Sequence, residues 1–552
     1  MDSTIKRFNL KPNWGNWGIF IFFCILSVIG ILHHEMWRDE LQAWMVARDA
    51  SNFFQLFKNL KYEGNPALWH IFLFILTRFT DSPYSIQILH LLISFSFVFI
   101  FLTQSKFNIL NKFLFVTGYF ILFEYNMISR GYGLGILLLF IIISLLKRKT
   151  QNHFLIFVLS ALLANTTIYG LIISGAIIFT LLFNQFFPVK QPNINNNNNT
   201  KKKLRKTKKI NPSFKWQWPK LSYLTYAGFT IYIWGAIFSI IQIYPEADNS
   251  FPVTIPESMF SIERFKLMAP DLMSSFIPIP NFNSLHFWNL NYINWNNFEN
   301  THQLFLLLLI TFTIVFLKNR NALIFYTVGT LVLLFIFYYS GLTWWRYTGH
   351  LYIVLISAYW IKNIFPDREF QKIWLKKLSA IGKKISVPLL TILLTVHSIG
   401  GIIAFSKDLK LTFAAGEKSA DFLKAQKLTN LPIIGNIDFL ISPISGFINK
   451  PIYYPSRQES GSFIIWDNLR VNDPSLNEII KHTESGILKE NDSLLLILST
   501  PVRDANTNKE YTVGSFNKNI SFKLLKSFDD SIIIENEDHH IYLIEKIKPK
   551  NE

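Results

Sequence analysis

Half of the 552 residues are hydrophobic and only 16% are charged, against about a quarter for an ordinary soluble chain. The apolar residues fall in runs too long for globular cores, which excludes a soluble enzyme and points to a polytopic membrane protein. The formal charge of +18 does not mark a nucleic-acid binder, because Lys and Arg concentrate between the apolar runs, as a topology signal does. The single cysteine, Cys24, excludes an intramolecular disulfide and a thiolate cluster.

The first apolar run, Trp17–Leu32, follows Lys6, Arg7 and Lys11 and lacks a small-residue cleavage pattern, so it reads as an uncleaved anchor with a cytoplasmic N-terminus. Further spans are expected at Ile86–Thr103, Leu110–Tyr125 and Leu134–Leu146. Phe154–Phe187 is long enough for a hairpin of two, turning near Asn165–Gly170. Five more follow at Leu221–Ile243, Leu304–Leu317, Ala322–Tyr339, His350–Ile361 (starting nearer Trp345) and Val387–Phe405. About eleven transmembrane helices place the basic loops inside and the acidic loops outside. The segment 188–220 contains Lys201–Lys209 and no acidic residue between Lys190 and Lys220. It reads as a disordered cytoplasmic loop beside anionic membrane lipids. The outer loop 244–302 carries six acids and only Arg264 and Lys266 as bases. Pro66–Phe79 is apolar but short, and counting it as a crossing would invert every later loop. It is expected to be an interfacial or re-entrant helix starting at Pro66.

Residues 1–405 thus form a membrane domain, with 33–84 as its first outer loop. Residues 406–552 have mixed charge and Gly/Pro-punctuated apolar runs, and are expected to form a small extracytoplasmic α/β domain. Ser419–Ala425 reads as a helix there. Pro432–Ile434, Ser462–Trp466, Ser493–Leu498 and His540–Ile544 read as strands.

Under this topology the notable polar residues share the outer side: Asp39, Glu40, Glu63, Asn65, His70, Glu124, Arg130, Tyr132, Asn165, Tyr169, Arg346 and His350. Unpaired carboxylates at the mouth of a membrane helix are costly, so Asp39 and Glu40 beside Arg38 invite a chemical role. The plainer alternative is the start of an amphipathic surface helix, with Leu41, Trp44, Met45 and Ala47 on its apolar stripe. On a helix the two carboxylates point apart, so one can accept a proton while the other holds Arg38, a metal or a backbone turn. Glu63 before Gly64-Asn65-Pro66 suits either a site or a turn. Arg130 and Arg346 each stand at the outer end of a span, where Arg can bind a phosphate group bidentately or simply face the water. His350 is either a ligand contact or an interior hydrogen bonder. His33, His34 and Glu35 supply metal-ligand residue types, but in a spacing with little specificity. No glycine-rich nucleotide motif occurs.

Four motifs together carry a resemblance: Asp39-Glu40 in the first outer loop, Asn65-Pro66-Ala67-Leu68 opening a juxtamembrane helix, Arg130-Gly131-Tyr132, and Trp345-Arg346-Tyr347. Over roughly residues 15–365 the chain resembles the GT-C superfamily of integral-membrane glycosyltransferases, in particular protein O-mannosyltransferases and lipid A aminoarabinose transferases (a glycosyltransferase family 39-like pattern). That resemblance implies a polyprenyl-phosphate sugar donor bound in an outer cavity and a first-loop acid that activates the acceptor. The family's His-Pro-Pro element is Asn-Pro-Ala here, so it specifies neither sugar nor acceptor. The expectation is a glycosyltransferase at the outer face of a bacterial plasma membrane. Asp39, Glu40 and Glu63 would be its catalytic acids. Asn65, His70, Arg130, Tyr132, Tyr169, Arg346 and His350 would bind substrate. The sequence specifies no cofactor and leaves metal dependence open; a divalent cation, if used, would lie at Asp39 or Glu40. The rival expectations are a flippase for a lipid-linked saccharide and a non-enzymatic envelope assembly protein.

Overall fold

The chain opens with α1 (Trp14–Ile31), then α2 (Arg38–Arg48), α3 (Phe53–Asn59) and α4 (Leu68–Leu76). Next come α5 (Tyr84–Gln104), α6 (Ile109–Val116) with a π-helical turn at Tyr119–Glu124, α7 (Gly131–Leu146), α8 (His153–Ala164) and α9 (Ile168–Phe186). The helical part ends with α10 (Tyr223–Ile243), α11 (Ile262–Ser274), α12 (Thr301–Phe316), α13 (Arg320–Ser340), α14 (Trp345–Lys362) and α15 (Ile373–Asp408). The computed structural model describes residues 14–148, 152–187, 222–251, 261–503, 510–533 and 537–547. The basic loop 188–220, the N-terminal Lys6, Arg7 and Lys11, and Glu257 lie outside them.

Among the described residues, α1, α5, α9, α10, α13 and α15 are long and apolar enough to cross a membrane, and α7, α8 and α12 are shorter apolar helices. All the expected apolar stretches are helical where described, although Leu110–Tyr125 is broken between Val116 and Tyr119. The turn between α8 and α9 falls at Asn165–Thr167. Helix α4 spans nine residues and begins at Leu68, two residues later than expected, with Pro66 and Ala67 in the preceding turn. At about 1.5 Å per residue it reaches only about 14 Å, too short to cross a bilayer.

Helix α14 is the axis of the bundle. Every residue from Leu351 to Ile361 is buried, as a helix apolar on all sides should be. Helix α15 has 36 residues. At 1.5 Å per residue it extends about 54 Å, well beyond the roughly 30 Å of a hydrocarbon core. It passes against the break after α6, where a Cβ on Gly401 would collide with the Thr117 carbonyl and the backbone of Gly118 and Tyr119. A glycine there lets the two backbones approach.

Beyond α15 lie α16 (Gly416–Ala425), β1 (Ile433–Asn436), α17 (Asp438–Ile448), β2 (Ile452–Tyr454), β3 (Glu459–Gly461) and α18 (Leu476–His482). After these come β4 (Ser493–Leu498), β5 (Val513–Ser515), β6 (Ile520–Phe528) and β7 (His539–Lys546). The strands form one sheet in the order β3-β2-β1-β4-β7-β6-β5. β1 runs parallel to β2 and β4, and the remaining pairs are antiparallel. β4, an unbroken apolar run, is central and buried on both faces. From the carboxyl end of β1 the chain turns through α17 towards β2, whereas from that of β4 it leaves for the opposite edge. The chain thus diverges at the carboxyl ends of β1 and β4, the switch point of the sheet's connections. Ser462–Trp466 is not a strand. Its Ile464 backbone pairs with the Gln42 side chain of α2 instead of with a neighbouring strand.

Replacing Gly401 by Ala is expected to destabilise the membrane domain by about 1–3 kcal/mol, the usual cost of overpacking. A thermal melt of the variant in lipid nanodiscs that overlays the wild-type curve would contradict this close approach.

Candidate functional site

Three helices begin at one place. α2 starts at Arg38 because the Glu40 carboxylate reaches back to accept from the Trp37 amide at 3.1 Å, closing the first turn. α7 starts after Arg130 and α14 at Trp345, so Arg130 and Arg346 leave their helices at the N-terminal ends. Both reach the same carboxylate. Arg130 Nη1 lies 2.5 Å and Arg346 Nη2 3.7 Å from Asp39 Oδ2, and Arg38 Nε lies 3.8 Å from Oδ1. Asp39 is a quarter exposed. Burial alone would raise its carboxyl, but the guanidiniums of Arg130, Arg346 and Arg38 outweigh this and hold it below the ordinary carboxylate range. Three cations face one anion, leaving positive charge in excess.

The neighbouring Glu40 does different work. It is fully buried. Besides Trp37 it accepts from the Ser129 amide at 2.6 Å, and its Oε2 lies 3.5 Å from His34 Nε2. On its other side His34 Nδ1 is 3.1 Å from Asp408 at the end of α15. Burial opposes the charging of His34, but Asp408 and Glu40 raise it well above its ordinary value. Glu40 therefore ties the loop between α1 and α2, the loop before α7 and, through His34, the tip of α15 together.

Glu63 accepts from Gln42 Nε2 at 2.7 Å, and the same amide group donates to the Ile464 carbonyl at 2.8 Å. Burial pushes the Glu63 carboxyl up to about 6 against the pull of Gln42 and Arg130, with Asp39 adding to the rise. Asn65 turns back onto the Glu63 carbonyl at 3.2 Å. His70, on α4, is buried, and neither ring nitrogen has a hydrogen-bond partner among the described residues.

Aromatic rings wall the rest. Tyr169 stacks on His350 with centroids 4.4 Å apart and on Tyr347 at 5.6 Å, and Tyr132 stands edge-on to His350 at 5.5 Å. His350 Nδ1 is 2.9 Å from the Tyr347 carbonyl, and Tyr125 donates to the Arg346 carbonyl at 2.9 Å. The Arg346 guanidinium lies 4.8 Å from the Tyr347 ring, 5.0 Å from Trp37 and 5.7 Å from Trp288. Such contacts hold an arginine in place without neutralising it. The structure thus brings Asp39, Arg130 and Arg346 into contact, and sets Tyr132, Tyr169 and His350 beside Arg346 through Tyr347. Glu40 faces into the protein, and Asn65 serves its own loop.

Five contributors were not legible in these roles from the sequence: Arg38 as a third cation, the rings of Trp37 and Trp288, Gln42, and Glu537 from the C-terminal sheet domain. Arg38 was legible as the neighbour of Asp39, and nothing local marks the others. No group of three or more His, Cys, Asp or Glu that could hold a metal ion is found among the described residues. Asp39 is surrounded by guanidiniums and Glu40 is committed to backbone amides, so neither fits a divalent cation as arranged.

Compared with protein-family models, curated proteins and solved structures, the chain matches none.

Two predictions follow from these carboxylates. Glu40→Ala leaves the buried Trp37 and Ser129 amides unpartnered and His34 with Asp408 alone, and is expected to cost about 3–5 kcal/mol. Thermal unfolding in nanodiscs would read this as a large fall in midpoint. For Glu63 the folded protein favours the protonated form. Its stabilising share is present below the ordinary glutamate value near 4.5 and is lost as pH rises through about 6. Glu63→Gln should therefore be more stable than wild type at pH 7.5, by on the order of 1 kcal/mol after allowance for partial exposure, with the gap closing near pH 4.5. A gap independent of pH would refute the burial of this carboxyl.

Proposed function

We propose that this membrane protein transfers a sugar from a polyprenyl-phosphate donor to an acceptor hydroxyl at the outer face of a bacterial plasma membrane. The carrying observation is the convergence of Arg38, Arg130 and Arg346 on the one partly exposed carboxylate of Asp39. Helix starts at Arg38, Gly131 and Trp345 add their positive ends to the same point. A net cationic pocket at the end of an apolar helical body suits a ligand with a phosphate head and a lipid tail. The motif resemblance to GT-C glycosyltransferases points to the same reading. In this reading the chain crosses eleven times, the N-terminus is cytoplasmic, and residues 406–552 face outward with the site.

In the resting site Asp39 occupies the place of an anion among the arginines. The donor phosphate replaces it as the partner of Arg130 and Arg346. Released from them, Asp39 becomes a stronger base, since the guanidiniums are what hold its carboxyl low. The acceptor oxygen then forms a bond to the anomeric carbon while the bond from that carbon to the phosphate oxygen breaks. The phosphate departs with the bonding electrons, stabilised by the arginines, and Asp39 takes the acceptor proton. Glu63, held by Gln42, orients the acceptor, and the aromatic wall of Tyr132, Tyr169 and Tyr347 packs against the sugar and the first isoprene units.

The test is a panel of radiolabelled polyprenyl-phosphate sugars presented with membrane extract to the protein in nanodiscs. Wild type should consume one of them. Asp39→Asn, still folded, should lose at least about 100-fold in turnover. Arg130→Gln and Arg346→Gln should each lose about 100- to 1,000-fold in kcat/KM. Full turnover by Asp39→Asn would remove the base assignment. Lipid translocation without consumption of any donor would favour a flippase instead.

A further inference from the structure

The outer domain does not stand apart from the site. Residues near the carboxyl ends of β1 and β4 reach Arg38. The Phe439 ring, in the first turn of α17 after β1, is 4.9 Å from the Arg38 guanidinium, and the Trp37 ring is 5.3 Å from it. Glu537 lies two residues before β7, whose first residues pair with the end of β4, His540 opposite Leu498. Its Oε1 lies 3.6 Å from Arg38 Nε and 3.4 Å from the Arg38 amide. Its carboxyl is fully buried, and Oε2 has no hydrogen-bond partner among the described residues. α17 itself is seated on α2, where Gly446 approaches Leu41 and Met45.

We propose that Glu537 is a positioning residue of this site. From the segment leading into β7 of the outer domain it holds the Arg38 guanidinium towards Asp39 and, by gaining or losing a proton, sets how much positive charge the three arginines present to the donor phosphate. This rests on the reading above that the arginines receive phosphate. The charged groups facing Glu537 are Arg38, Asp39 and Glu40, all from the start of α2. Burial pushes its carboxyl up to about 8, against the pull of Arg38 and with Asp39 and Glu40 adding to the rise. At neutral pH the proton is therefore held and the surplus of positive charge is intact. As pH rises through about 8 the carboxylate forms beside Arg38 and cancels one of the three cations. The outer domain, through one side chain, thereby controls the anion affinity of a site built in the membrane domain.

The probe is farnesyl phosphate, a short polyprenyl phosphate without a sugar. It is bound by the full-length protein in nanodiscs and followed by calorimetry between pH 7.5 and 9.5, where its phosphate stays a dianion throughout. Wild-type affinity should fall about tenfold across this range, the effect of one new charge a few ångströms from the ligand. Glu537→Gln, which keeps the shape and cannot ionise, should flatten the profile. Glu537→Asp, which restores a carboxyl, should recover the fall. Arg38→Gln should weaken binding at pH 7.5 and make Glu537→Gln silent in the double variant. A residue with only a structural role would change the yield of folded protein and leave the slope untouched. A Glu537→Gln profile parallel to wild type overturns the inference while leaving sugar transfer standing. Binding that follows the expected profile without transfer from any donor sinks the transferase reading and keeps the inference. No binding by wild type at any pH counts against both.

Discussion

Asp39 among Arg38, Arg130 and Arg346 is the interaction on which the rest of the arrangement depends. Like charges repel, and three guanidiniums brought together at the edge of an apolar body would separate or draw in water unless an anion stood among them. Asp39 supplies that anion, and the aromatic faces of Trp37, Trp288 and Tyr347 supply the rest of the support for Arg346. Because the arginines come from three separate helix starts, one carboxylate fixes the relative placement of α2, α7 and α14. The adjacent Glu40 secures the same corner from behind through Trp37, Ser129 and His34, so neighbouring acids carry a surface role and an interior role.

The corner continues into the C-terminal sheet domain as a ladder of rings and guanidiniums. Arg346 lies on Trp37, Trp37 on Arg38, Arg38 on Phe439, and Phe439 on Arg470, which is 4.4 Å from Trp466. Each contact is worth about 0.5–2 kcal/mol, the more so away from water. Arg470 in turn clamps Asp438 with two bonds of 2.6 and 2.8 Å, fixing the start of α17. The two domains therefore meet through an apolar contact of α17 with α2 and, beside it, through polar and aromatic groups that are specific in geometry. The second set holds a register that the apolar contact alone would let slide.

The helical body was legible because membrane burial writes itself as long apolar runs, and Lys/Arg bias ordered them. Arg130 and Arg346 stood out by their position at the ends of apolar runs. That Asp39 and Glu40 point apart was legible too, since a helix turns adjacent residues about 100° apart; which of them faces the arginines and which faces inward is set by packing alone. Ser462–Trp466 looked like a strand by composition, but its backbone bonds were taken by Gln42, more than 400 residues away in sequence. Glu537 left no local mark at all. Its role comes from the sheet, which carries the start of β7 to the end of β4 and so to Arg38.

The place of β7 in that sheet has a consequence for biosynthesis. β7 lies between β4 and β6, in the interior of the sheet, yet leaves the ribosome after every element it pairs with. Until it docks, β4 and β6 expose unpaired edges, and Arg38 faces Asp39 without the Glu537 carboxyl. The helices can be inserted and packed in order of synthesis, but the corner that joins them to the C-terminal sheet domain closes last. A nascent membrane domain is thus held in an incomplete charge state until the final strand is delivered, and a lesion that slows this strand would strand an inserted but unfinished protein.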